Sequence, residues 1–370
     1  LGLLTFTSGF TLFLRRRLDL RDMQIAKEYT NGSTLDLPRL LRTIMFFTFV
    51  CEAFGSFLLM LRFVPMFGGK GIWISVFLSV SAYCNAGFDI LGFLKPDASL
   101  ELFVGDPLVC LTICCLIILG GIGFIVTVDL YNWGRKRVRK EERRPHLTLH
   151  TRIVLVSTAS LLVLGTVLTL GLEYDHTLKD LNFWEKLNAS FFQSVTARTA
   201  GYATIPQGEL GDATKLVTII LMFIGASPSS TGGGIKTTTF VVLVATVVSI
   251  SRGRDETVIN KRRVDKSVVY RAMTIVAMAF LVIAITSGVI MVTTPPEVSA
   301  IDAVYEAVSA FGTVGLTTGL TPDLSIVAKI LVMLTMFIGR VGPISLVLAL
   351  TMKHSGGPGK ILPEGKVIVG

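Results

Sequence analysis

Long apolar runs separated by clusters of charge constrain this chain more than any other feature. They fall at residues 43–61, 153–172, 216–224 continuing to 250, 272–292 and 330–350. A helix needs roughly 20 predominantly apolar residues to cross a hydrocarbon core about 30 Å thick, and several of these runs are that long. Only 16% of the residues are charged, where a soluble domain carries nearer ~25%. The chain therefore reads as an all-α integral membrane protein. Cys51, Cys84, Cys110, Cys114 and Cys115 lie in or beside apolar segments without paired metal-ligand spacing, so small apolar packing is their expected role.

The charge between the runs alternates in sign. Arg15, Arg16, Arg17, Arg21 and Lys27 make one basic connection. Arg135, Lys136, Arg137, Arg139, Lys140, Arg143, Arg144 and Arg152 make another, and Arg252, Arg254, Lys261, Arg262, Arg263, Lys266 and Arg271 a third. The intervening connections carry Asp89, Asp97, Glu101, Asp106, Glu173, Asp175, Asp180, Glu185, Glu209, Asp212, Glu297, Asp302, Glu306 and Asp323. The positive-inside rule puts the basic set in the cytoplasm and the acidic set outside. An acidic outer mouth would concentrate cations, whereas the plainer role for each acid is solvated surface. Topology control is cause enough for the basic clusters, so no nucleic-acid partner is expected.

A short motif recurs three times: Ser81–Phe88, Ser194–Tyr202 and Ser309–Leu316. Its glycines, Gly87, Gly201 and Gly315, stand 114 residues apart in both intervals. Before each motif comes a short amphipathic segment, residues 71–83, 183–197 and 301–311, too short to cross a bilayer. A long apolar helix is expected after each. The unit reads helix, half-helix, loop, helix, with half-helices entering from outside. Glu185 and Asp302 sit near the starts of two of them, where a carboxylate suits the positive end of the helix dipole. One such loop by itself reads as a tight turn. Three in register read as a filter, because irregular backbone at membrane depth survives only when buried or lining a wet cavity. The filter candidates are Cys84, Asn85, Ala86, Gly87 and Phe88; Arg198, Thr199, Ala200, Gly201 and Tyr202; and Gly312, Thr313, Val314, Gly315 and Leu316. Glycine permits the backbone turn, and loop carbonyls then replace the hydration shell of a monovalent cation.

Three loops do not close a ring easily. Residues 1–14 read as the end of an earlier unit, not as a signal peptide, with roughly 60–80 residues expected upstream from the repeat period.

After the second loop the apolar run breaks at 225–236, through Gly225, Ser227, Ser229, Ser230, Thr231, Gly232, Gly233, Gly234 and Lys236. Glycines and a proline cannot hold a helix there. Placed below the filter, this stretch reads as a gate. Arg340, too costly to face lipid, is expected to hold it through its carbonyls. A kinked helix with a snorkelling cation is the alternative. Phosphate binding is set aside, since Ile235 separates Gly234 from Lys236, and Gly120–Gly123 is no dinucleotide fingerprint. His146 and His150 have helical ligand spacing but lie in a basic linker, too few for a metal site. No nucleophile, base and orienting group occur together, so no enzyme is expected.

The three loops and the gate, with the stretch Met336-Phe-Ile-Gly-Arg-Val-Gly-Pro343, resemble the Trk/Ktr/HKT superfamily of potassium transporters over essentially the whole chain. The tail, Leu362–Gly370, looks more like the Ktr-type membrane subunit. The resemblance implies four pseudo-repeats around one ion pore, with the first mostly missing here. Residues 1–37 would end the first repeat and form a cytoplasmic linker. Residues 38–150 would be the second repeat, 151–266 the third with the gate loop, 267–353 the fourth, and 354–370 a cytoplasmic tail. It further implies a homodimer in the cell membrane, a cytoplasmic ring of nucleotide-binding RCK subunits, and uptake of potassium ion that is often dependent on sodium ion. A sodium-permeable member of the same fold and an alternating-access cation symporter are the competing expectations. Repeats running in one orientation favour a pore over the carrier's inverted halves.

Overall fold

The computed structural model describes residues 37–96, 98–139, 146–294 and 298–342. The expected helix end at 1–14, the linker up to residue 36 and the tail from 354 lie outside them. Regular structure among the described residues is helical apart from one short hairpin. The first unit contains α1 (Leu37–Phe67), the short α2 (Gly69–Tyr83), α3 (Pro107–Gly121) and α4 (Phe124–Val138). The second contains α5 (Leu149–Glu173), the short α6 (Phe183–Thr196), α7 (Asp212–Phe223) and α8 (Thr237–Ser251). A two-stranded hairpin, Val258–Ile259 with Arg262–Arg263, leads to the third: α9 (Lys266–Thr293), the short α10 (Ala300–Gly312) and α11 (Ile326–Val341).

Helix starts follow from local chemistry. Asp106 caps α3, its Oδ1 accepting from Leu108 N at 3.1 Å and Val109 N at 3.3 Å, with Pro107 at the first position, where no N–H is needed. Thr148 caps α5 and Ser325 caps α11 through the backbone N–H three residues on. Glu185 reaches back to Asn182 N at 2.9 Å and ties the start of α6.

Helices α1, α5 and α9, of 31, 25 and 28 residues, are long and apolar enough to span a bilayer. The short helices α2, α6 and α10 run 15, 14 and 13 residues, about 20 Å at 1.5 Å per residue, and cannot. They match the segments expected at 71–83, 183–197 and 301–311 to within two residues. One expectation needs correction. No single long helix follows the first loop: α3 and α4 meet at a 97° bend. Gly123 turns the chain there at φ 87°, and Phe124 N leaves its own ladder to donate to Ser229 O at 3.0 Å.

Two cores hold the units. Leu59, Phe63, Ile74, Leu78, Ile113 and Phe192 join α1, α2, α3 and α6. Met222, Ile283, Ile290, Tyr305, Val308 and Phe311 join α7, α9 and α10. The opposite faces stay apolar and exposed, as with Phe49, Phe57, Val163, Leu164, Phe280, Leu281 and Phe337. Apolar surface this extensive suits lipid and not water.

Candidate functional site

Each short helix ends in the same backbone turn. Asn85, Thr199 and Thr313 adopt φ of 49°, 77° and 50°, and two residues later Gly87, Gly201 and Gly315 adopt 72°, 88° and 92°. A β-branched residue at positive φ is strained and persists only where its surroundings over-determine it. Here they do so three times alike. Ala86 N donates to Ser81 O at 2.9 Å, Ala200 N to Thr196 O at 3.0 Å and Val314 N to Ser309 O at 2.9 Å. The hydroxyls of the same three residues donate past the glycine: Ser81 Oγ to Phe88 O at 2.7 Å, Thr196 Oγ1 to Tyr202 O at 2.6 Å and Ser309 Oγ to Leu316 O at 2.6 Å. Each hydroxyl thus latches the carbonyl that follows the glycine. The motif starts at Ser81 and Ser309 marked two latches. In the second unit the latch is Thr196, while Ser194 donates to Leu162 O on α5 at 3.0 Å. Ser309→Ala frees the Leu316 carbonyl. The expected result is a several-fold loss of discrimination between cations, with Ser309→Thr restoring it, measured as a flux ratio in proteoliposomes.

The three loops come together. A Cβ added to Gly87 would lie 2.4 Å from Ala200 O, and one added to Gly201 would lie 2.2 Å from Val314 O. The first loop therefore abuts the second, and the second the third. Tyr202 Oη donates to Phe88 O at 3.1 Å, and the Asn85 amide meets Thr199 Oγ1 at 3.2 Å. Both pairs are residues 114 apart in sequence. Of the remaining candidates, Cys84 Sγ lies 4.0 Å from Glu52 Oε1, Phe88 is exposed, and Arg198, although in the second loop, turns its buried side chain to Gly225 O at 3.5 Å.

The break between α7 and α8 packs against the second and third of these loops. A Cβ on Gly232 would fall 2.1 Å from Thr199 Oγ1, and one on Gly233 2.1 Å from Thr313 Oγ1; Gly234 sits against Gly312. Only glycine fits these positions. Arg340 Nη1 donates to Thr231 O at 2.8 Å. Lys236 Nζ donates to Gly232 O at 2.6 Å and Gly233 O at 3.3 Å. Ser227 Oγ pairs with Thr237 Oγ1 at 3.1 Å, and Gly232 N donates to Ser230 Oγ at 3.3 Å. Carbonyls thus satisfy two cations that lipid could not.

A further anchor was not foreseen. Ser227 N donates to Gly121 O at 3.0 Å, Thr231 N to Gly120 O at 3.3 Å, and Thr231 Oγ1 to Tyr83 O at 3.2 Å. The 97° corner of α3 and α4 is the seat of the broken segment. In the sequence its glycines stood out only as Gly120–Gly123, the stretch set aside as a dinucleotide fingerprint. Three of the acids differ from both roles considered for them, while Asp175, Asp180, Glu209, Asp212 and Asp323 are exposed. Glu306 accepts from Thr317 Oγ1, from Thr318 N at 3.1 Å and from Thr321 Oγ1 at 2.9 Å. Glu173 accepts from Gly211 N at 3.0 Å and Thr177 Oγ1 at 2.8 Å. Asp302 pairs with Lys215 at 2.8 Å. These three brace the connections behind the loops.

The profile of the TrkH family, described as a cation transport protein, matches residues 4–357. The chain belongs to that family. Among its relatives, the Ktr system potassium uptake protein B of Bacillus subtilis is 35% identical over all of this chain and 80% of its own length. The potassium/sodium uptake protein NtpJ of Enterococcus hirae is 36% identical, again over all of this chain and 80% of its own. The crystal structure of the potassium transporter TrkH from Vibrio parahaemolyticus superposes with a TM-score of 0.65 at 18% identity. It covers 87% of this chain, which spans 66% of that structure's length. That likeness carries the TrkH fold: an all-α membrane protein of repeated helix, short helix, loop and helix. TrkH-family membership also makes this a transport protein and not an enzyme.

Proposed function

We propose that the chain takes up potassium through a gated pore, with the three glycine loops as its selectivity filter and the segment 225–236 as its gate. The mutual contact of loops 114 residues apart carries this reading. Backbone carbonyls brought to one place, with their orientation held by hydroxyl latches, can exchange for the water around an alkali cation. The dipoles of α2, α6 and α10 add to this, since their C-terminal, partly negative ends lead into the loops. Arg340 and Lys236 hold the gate segment across the inner side of the filter in the conformation described, which reads as closed.

The basic connections face the cytoplasm on the positive-inside rule. Relatives named as Ktr system potassium uptake proteins support reading the chain as the translocating subunit of such a system, and the superfamily resemblance adds a membrane homodimer against a cytoplasmic ring of nucleotide-binding RCK subunits. The relative named for both potassium and sodium supports a second role for sodium, as a coupled ion or an alternative permeant.

Flux into proteoliposomes containing the full-length protein tests this. Potassium and rubidium are expected to enter, with sodium slower by about tenfold or more, a difference of ~1.4 kcal/mol. Equal sodium entry would replace potassium selectivity by general monovalent permeation. No cation flux under any gating condition would defeat the pore.

A further inference from the structure

The far end of α8 carries a groove that cation passage does not use. Phe240, Val244, Val248 and Arg252 follow one another at intervals of four and so form one ridge of the helix. All four line a groove of about 360 Å³, together with Arg254 and Asn260, a volume within the range of ligand sites. Its opposite wall is the chain folded back after the helix. Arg252 N and Arg254 N donate to Ser249 O at 3.2 Å and 3.0 Å, and Gly253 turns the chain at φ 70°. Thr246 Oγ1 then pairs with Thr257 Oγ1 at 2.9 Å, and Val258 N donates to Ser249 Oγ at 3.3 Å. These bonds hold the two-stranded hairpin against the last turns of α8, so the groove has two fixed walls.

The groove changes chemistry along its length. On the helix, Val244 and Val248 are 45% and 40% exposed, an apolar surface suited to lipid. At the other end stand the two arginines, both exposed and neither with an ion-pair partner among the described residues. Of the neighbouring acids, Glu256 is paired with Arg263 at 2.8 Å, and Asp255 does not line the groove. From Phe240 to Arg252 the ridge rises through twelve residues, about 18 Å at 1.5 Å per residue. That is close to one leaflet of a hydrocarbon core about 30 Å thick.

We propose that this groove binds one anionic phospholipid, its phosphate between Arg252 and Arg254 and an acyl chain along Phe240, Val244 and Val248. A guanidinium presents paired N–H groups that match phosphate oxygens, and basic pockets at the membrane edge take up anionic headgroups. The Asn260 amide adds a neutral donor at the same end. A soluble phosphate compound would satisfy the arginines and leave the apolar ridge uncovered. A zwitterionic lipid would cover the ridge and bring its own cation to two others. Only a lipid with net negative charge meets both ends.

The test is native mass spectrometry of the full-length protein in detergent, titrated with phosphatidylglycerol or with phosphatidylcholine of the same acyl chains. Wild type is expected to retain one phosphatidylglycerol about tenfold more tightly than phosphatidylcholine. Arg252→Gln with Arg254→Gln should bring the two lipids within about twofold, while the corresponding lysine pair keeps most of the preference. Val244→Trp fills the apolar part and should weaken both lipids. Arg135→Gln with Arg137→Gln, in another basic connection, should leave the preference as in wild type. Equal loss in that control overturns the site in favour of general surface charge. Displacement of the lipid by an equal concentration of glycerol 3-phosphate overturns it in favour of a soluble phosphate. An unchanged preference in the glutamine pair also overturns it, and if that pair then splits an oligomer in the same spectra, the groove is a contact between copies of the chain.

Discussion

Gly201→Ala is expected to reduce potassium uptake by about 100-fold or more, equivalent to ~2.7 kcal/mol on the limiting barrier, with the helices inserted and intact. Two costs combine. Gly201 has φ 88°, where an L-residue pays roughly 1–2 kcal/mol. The new methyl would also lie 2.2 Å from Val314 O, a backbone atom of the neighbouring loop. That loop cannot yield cheaply, because Val314 N is tied to Ser309 O and Leu316 O to Ser309 Oγ. The carbonyls of two loops must therefore move together. Gly87→Ala meets the same obstacle in Ala200 O at 2.4 Å. Gly315→Ala meets only Gly201 Cα at 3.8 Å and carries the backbone strain alone. Uptake losses are thus graded, large at Gly201 and Gly87 and smaller at Gly315, as read from rubidium-86 uptake or from growth at low potassium. An aspartate at Gly201 or Gly315 adds a charge and should abolish uptake. Wild-type uptake by Gly201→Ala would mean that the contact between loops has no bearing on conduction.

Arg340→Ala is expected to raise flux in proteoliposomes lacking any regulatory subunit. The guanidinium donates to Thr231 O at 2.8 Å, and Arg340 is exposed. That moderates the bond to about 1 kcal/mol, roughly a fivefold shift of the gate equilibrium. The segment keeps its ties to Gly120, Gly121 and Lys236, so closure is weakened and not lost. Arg340→Lys retains one donor and should fall between. Deleting residues 226–233 removes every tie in that stretch and should give the larger rise. Unchanged flux in both the alanine and the deletion variants would leave the broken helix as a structural kink.

Much of this architecture was legible from residue order. Apolar length located α1, α5 and α9, and a repeated glycine motif preceded by amphipathic segments located α2, α6 and α10. Gly225–Gly234 could not be helical in any context. Other features left little trace. Thr196, not the motif serine, is the second latch: the motif serine stands seven positions before the glycine in that loop and six before it in the other two. The corner between α3 and α4 lies within a continuous apolar run, since lipid exposure and protein contact select the same residue types. Glu173 and Glu306 looked like any loop acids, and their partners Gly211 and Thr318 contribute backbone N–H groups.

Residue order by itself determined which segments are long and apolar enough to cross a membrane, which are too short to do so, and where glycines let the backbone turn. These are local consequences of hydrophobic length and steric freedom, and each is written within some twenty neighbouring residues. Tertiary structure alone decided that the three turns meet, that Gly232 and Gly233 lie against Thr199 and Thr313, and that Gly120 and Gly121 carry the broken helix. Each such contact engages a main-chain atom on at least one side and joins residues far apart along the chain. Main-chain atoms are the same in every residue, so no choice of side chain announces which of them will touch.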